Sequence, residues 1–175
     1  LVGSEMCIRD SPNLVPHLVM VDITPGVTSK KAKAVLDFIN GPQSFASFDE
    51  LFARTKEHNP TRSESSLRRG ILHNAKQVED GTWQWRYDRR GQTETAGSAP
   101  GHEAPRSPMW DMISTWDKPL LMVRGGISPV VDDEDIAELR KRCAHVEVVV
   151  IDGAGHSVQG DRPVELANVL RRFAS

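Results

Sequence analysis

The stretch that most constrains what this chain can become is residues 146–163, VEVVVIDGAGHSVQGDRP. Val146, Val148, Val149, Val150 and Ile151 are β-branched, and Glu147 alone interrupts them. Such a run fits a pleated strand covered on both faces, as in a parallel sheet. It stops at Asp152-Gly153-Ala154-Gly155, where glycine permits backbone angles closed to other residues. His156 follows the turn. Asp161 as N-cap and Pro163 in the first turn then predict a helix, with Val164, Leu166, Val169, Leu170 and Phe173 toward the core. The histidine falls at the carboxyl end of a strand, where open α/β sheets place their chemistry.

Two more buried-strand patterns share this chain. His17 to Ile23 ends at Thr24-Pro25-Gly26, and Pro119 to Val123 ends at Arg124-Gly125-Gly126. Spacing and apolar pattern predict that these strands and residues 146–151 lie side by side and parallel. Between the first two, the pattern changes to helices over residues 29–40, 47–57 and 63–74. Ser47 and Glu50 have capping-box spacing, and the third helix turns Leu67, Ile71 and Leu72 inward. A hairpin follows over residues 75–87, turning at Asp80-Gly81 and carrying Trp83, Trp85 and Tyr87 on one face. These aromatics pack on the neighbouring helices or, in the sharper reading, Trp83 and Trp85 contact substrate. Residues 89–105 are polar and rich in Gly, Ser, Thr and Pro, a flexible linker. A short helix over residues 107–116 returns to the sheet, and a helix over residues 132–142 turns Ile136, Leu139 and Cys143 inward.

The G-A-G-H turn after the last strand, followed by a helix opening D-x-P, resembles the catalytic-histidine loop of the α/β-hydrolase family. Other segments match in order back to about His17. The resemblance implies an α/β fold, the C-terminal part of a hydrolase core at residues 14–28 and 106–175. A mainly helical cap is then inserted at residues 29–88. Residues 1–13 carry no periodicity, and LVGSEMCIRDS resembles translated adaptor or vector sequence, so they are set aside as a leader.

The family's chemistry requires a nucleophile, an acid and a histidine, in that order along the chain. His156 fits the base. The elbow G-x-S-x-G does not occur in the sequence; in Gly155-His156-Ser157-Val158-Gln159, Gln159 stands where the second glycine is needed. The expectation is therefore a fragment without its nucleophile and without activity of its own. The family's commonest acid position, the Asp of G-x-x-D after the penultimate strand, is held by Ser128. A hydroxyl cannot balance an imidazolium, so the acid is sought elsewhere. Asp22 ends the earlier strand, and certain haloalkane dehalogenases are similar in carrying their acid there. Asp132 is the alternative, although the start of a helix gives it an ordinary role.

The resemblance implies a hydrolase of an ester, lactone or related bond of a small molecule, working without metal or organic cofactor. Two alternatives stand beside it. One is a non-catalytic hydrolase-fold protein that binds a ligand or partner. The other is a dehalogenase or epoxide hydrolase with an Asp nucleophile. The 175 residues allow one ordinary domain, and a net charge of −2 gives no electrostatic reason for a nucleic-acid or anionic-membrane partner. No apolar run is long enough to span a bilayer. Cys7 and Cys143 form no disulfide framework, which makes a reducing cytoplasm the default. No other histidine stands at metal-ligand spacing.

Overall fold

In a computed structural model, residues 12–87 and 108–175 are described. Of the leader expected at residues 1–13, the part up to Ser11 lies outside them, as does the linker expected at residues 89–105. The chain divides into two compact units, Leu1–Lys31 with Arg106–Ser175, and Ala32–Pro105.

The first unit contains a three-stranded sheet. Its strands are β1 (Leu18–Val21), β5 (Leu120–Gly125) and β6 (Glu147–Ile151). The strand order is β1-β5-β6, and both pairings are parallel, with Leu18 opposite Leu120 and Leu121 opposite Glu147. The expected parallel arrangement is present. Leu120, Leu121, Met122 and Val123 of the central strand are at most 1% exposed. Burial of each such side chain stabilises the fold by about 1.5–3 kcal/mol before entropy is counted. Leu121 and Val123 pack with Ile151, Ala154, Val158 and Leu166, and Val169, Leu170 and Phe173 close over that cluster. Leu120 and Met122 alternate to the opposite face. In this unit α4 (Pro108–Ser114) packs on α5 (Asp133–Arg142), where Ile136 and Leu139 are buried.

Two expectations for the end of the chain are corrected. After a short α6 (Val158–Asp161), helix α7 (Pro163–Ala174) starts from Arg162, so Asp161 is not its N-cap. Asp161 Oδ2 instead accepts the Gly155 amide at 2.8 Å. Val164, assigned to the core stripe, is 67% exposed, because the helix presents Leu166 and its successors to the sheet.

The second unit contains α1 (Lys33–Ile39), β2 (Ser44–Phe45), α2 (Phe48–Glu57), α3 (Glu64–Asn74), β3 (Ala75–Gln77) and β4 (Trp83–Trp85). Its sheet is antiparallel in the order β2-β4-β3, so the hairpin gains a third strand that two residues of sequence could not announce. Phe45, Leu51, Ile71 and Ala75 form its core, with Phe48, Phe52, Trp83 and Trp85 around them. Ser47 Oγ accepts the Glu50 amide at 3.2 Å, and Glu50 reaches back to the Ala46 amide at 2.7 Å. Helix α1 begins later than expected and buries none of its residues. Leu72 lies outside the core, 56% exposed.

Candidate active site

The site lies at the carboxyl ends of the three parallel strands. Asp22 follows β1 directly and keeps its ladder going, donating its amide to Val123 O at 2.7 Å. There the chain turns sharply: Asp22 has φ of 51°, the left-handed region, which Asp tolerates better than most residues. The turn drives its side chain into the interior, where it is fully buried.

Burial of a carboxylate requires donors. Oδ1 accepts the Gly125 amide at 2.9 Å. Oδ2 accepts the Ser128 hydroxyl at 2.5 Å and faces Nδ1 of His156 at 2.9 Å. An ionised carboxylate only accepts, so Nδ1 is the donor of this contact, and in the Nδ1–H tautomer the lone pair lies on Nε2. Nε2 has no hydrogen-bond partner among the described residues, and the side chain is 34% exposed. One ring edge is therefore held from the interior and the other is open.

The histidine loop is fixed by its backbone. Gly126 donates to Ile151 O at 2.9 Å and Ile127 to Ala154 O at 3.0 Å, tying the β5 turn to the β6 turn. Gly153 takes φ of 67°. At Gly125 a Cβ would lie 2.3 Å from Gly155 O, so only glycine lets the two backbones approach this closely. Asp161 holds Gly155 from the other side.

Asp132, the alternative acid, is occupied elsewhere. Its Oδ1 accepts the Asp135 amide at 3.0 Å, and Asp135 returns the contact to the Asp132 amide, a capping box on α5. Its Oδ2 pairs with Lys31 Nζ at 2.7 Å. Hydrogen bonding to the Lys31 ammonium, then the helix amide, pulls its carboxyl down to about 2. Trp83 and Trp85 are half-buried in the second unit, Trp83 edge-on to Phe48 and Trp85 edge-on to Phe38 and Phe45. Among the described residues no three His, Cys, Asp or Glu side chains gather as a metal-binding set, and no helix is long and apolar enough to cross a membrane.

Sequence reasoning missed the task of Ser128. It registered this residue only as an absent acid, while the structure makes it a donor to the Asp22 carboxylate. The available signal was the polar residue left at G-x-x-S after a strand.

The sequence model of the alpha/beta hydrolase family matches residues 3–169. The chain belongs to this family. It is 35% identical over 168 residues to esterase Rv0045c of Mycobacterium tuberculosis, covering 92% of this chain and 53% of that protein. A solved structure of that esterase superposes with a TM-score of 0.76 at 32% identity, over 99% of this chain and 59% of the other. E-2-(acetamidomethylene)succinate hydrolase gives a TM-score of 0.81 at 24% identity, over 98% and 62%, a likeness of fold. The chain thus spans about half the length of the curated esterase it matches.

These matches correct three expectations. The resemblance was placed from about His17 and assigned to a C-terminal portion, whereas the family match covers residues 3–169. The fold class is accordingly that of the α/β-hydrolase domain, not of its C-terminal part alone. The reading of the chain as an inactive fragment without a nucleophile is withdrawn with it. The error has a physical source: residues before His17 show no hydrophobic periodicity, and a family match need not depend on periodicity.

Proposed function

We propose that this hydrolase cleaves a carboxylic ester or lactone of a small molecule, with His156 as general base and Asp22 as the acid that orients it. The observation that carries the reading is the 2.9 Å contact between Asp22 Oδ2 and His156 Nδ1. The esterase relative supports the same bond class. In the family's triad chemistry the nucleophile's hydroxyl gives its proton to the histidine as it adds to the ester carbonyl, and His156 Nε2 is the atom open to take it. The same nitrogen then returns the proton to the departing alkoxide, and the imidazolium formed in between is balanced by Asp22. A water attacks in the second half, with the proton steps repeated. The cap expected at residues 29–88 falls, from Ala32 onward, in the second compact unit, Ala32–Pro105. The free thiol of Cys143 accords with a reducing, cytoplasmic setting.

The test is hydrolysis of short-chain p-nitrophenyl esters by the intact protein. His156→Ala should lower kcat by roughly three orders of magnitude or more. Undiminished turnover by that variant would sink the assignment.

A further inference from the structure

Ser128 stands where the resemblance places an acid, and the structure gives its hydroxyl a defined direction. The side chain is buried, 9% exposed. Its Oγ accepts the Val130 amide at 3.1 Å and lies 2.5 Å from Asp22 Oδ2. A hydroxyl has one proton and two lone pairs. Val130 uses a lone pair, so the proton goes to the carboxylate. The backbone beneath is pinned as well, since the Ser128 amide donates to Gly125 O at 3.1 Å.

We propose that Ser128 is a positioning residue for the catalytic pair: it fixes the rotation of the Asp22 carboxylate so that Oδ2 faces His156 Nδ1. This rests on the function proposed above. The last torsion of an aspartate is broad, so one donor leaves the carboxylate plane undetermined. Gly125 holds Oδ1 and Ser128 holds Oδ2, and two donors on different oxygens define the plane. The imidazole then meets an acceptor already in place, which is preorganisation of the kind that favours the charged transition state. The competing role for Ser128 is a local one, satisfying the Val130 amide in its own turn. That role uses a lone pair alone and has no bearing on the ring.

Ser128→Ala and Ser128→Thr in the intact protein separate the two roles. The readouts are kcat and KM on p-nitrophenyl butyrate, Tm, and nitrogen-resolved NMR of the His156 ring. Loss of a hydrogen bond to a charged group should lower kcat of Ser128→Ala roughly 10- to 100-fold. KM should stay within about twofold, because the lost contact serves the transition state. The strongly hydrogen-bonded Nδ1 proton signal of His156 should weaken, and Ser128→Thr should recover both kcat and that signal. Wild-type kcat and ring signals in Ser128→Ala, whatever its Tm, overturn the proposal. So does a folded Ser128→Thr that is as slow as Ser128→Ala. If His156→Ala and Asp22→Asn also keep full activity, the proposed function itself has failed; if only Ser128→Ala is active, this inference alone has.

Discussion

Asp22 joins two demands that few residues meet together. Its backbone sits at φ of 51° and its side chain is fully buried against three donors. Asparagine shares the tolerance for left-handed backbone, so Asp22→Asn leaves the turn intact and removes the charge and one acceptor oxygen. With an amide facing the ring, the Nδ1–H tautomer loses its acceptor. We expect kcat to fall by roughly four orders of magnitude, with a loss of stability of about 1–3 kcal/mol because the amide nitrogen faces a buried donor. Asp22→Ala is a poorer probe, since it adds backbone strain of about 1–2 kcal/mol. Gly125 carries the second prediction at this scale. A Cβ there would meet Gly155 O at 2.3 Å and Ala154 O at 2.8 Å, both backbone atoms that cannot rotate away. Gly125→Ala should destabilise the protein by about 1–3 kcal/mol, read by urea denaturation, and weaken activity by pushing the histidine loop from β5. A variant with unchanged stability and kcat would contradict this reading of the turn.

Helix α5 shows how an element can claim a residue that a site reading also wants. Asp132 caps it, and Lys31 pairs with Asp132 and Asp135 together, at 2.7 and 2.8 Å. Asp132→Ala should cost about 1 kcal/mol, the usual value of an N-cap. Asp132→Asn keeps a capping acceptor and removes the charge, so it should cost only about 0.5 kcal/mol because the pair is partly exposed. The folded carboxyl titrates near about 2, below its ordinary unfolded range. Its charge contribution is therefore complete above the unfolded value of about 3.9 and fades as pH falls toward 2. The stability gap between wild type and Asp132→Asn should be constant from pH 7 to 5 and close below pH 4. A gap that persists at pH 2 would place the stabilisation outside this charge. Elements of this kind were legible in sequence because their signals are local: acidic residues before a 3.6-residue stripe for α5, β-branched runs for β6. Strand β2 was not, since Ser44 and Phe45 become a strand only by meeting β4. Asp161 misled for a related reason. The carboxylate that suits an N-cap also suits the Gly155 amide, and only the path of the loop decides between them.

For the molecule as a whole, sequence order carried much of the architecture, because parallel strands need long crossovers and the three buried runs had them. What sequence left open was the choice between Asp22 and Asp132, which depends on a backbone turn and on where Ser128 sends its proton. The pairing of β1 with β5 has a further consequence, for how the molecule is made. Its partners lie on either side of Ala32–Pro105, and Asp22 meets His156 across 134 positions of chain. Contacts inside the insertion are short-range by comparison, such as α2 with α3 and α3 with β3. Short-range contacts close small loops and form early, whereas long-range ones wait for a costly closure. Pulse-labelling hydrogen exchange during refolding should therefore protect the Leu51 and Leu67 amides before the Asp22 amide, which is protected only once Val123 accepts it. Simultaneous protection of all three would contradict this order. If it holds, a partly refolded population will show the helices of the Ala32–Pro105 unit by circular dichroism while His156 still has no partner, and regain of structure and regain of activity will run on separate clocks.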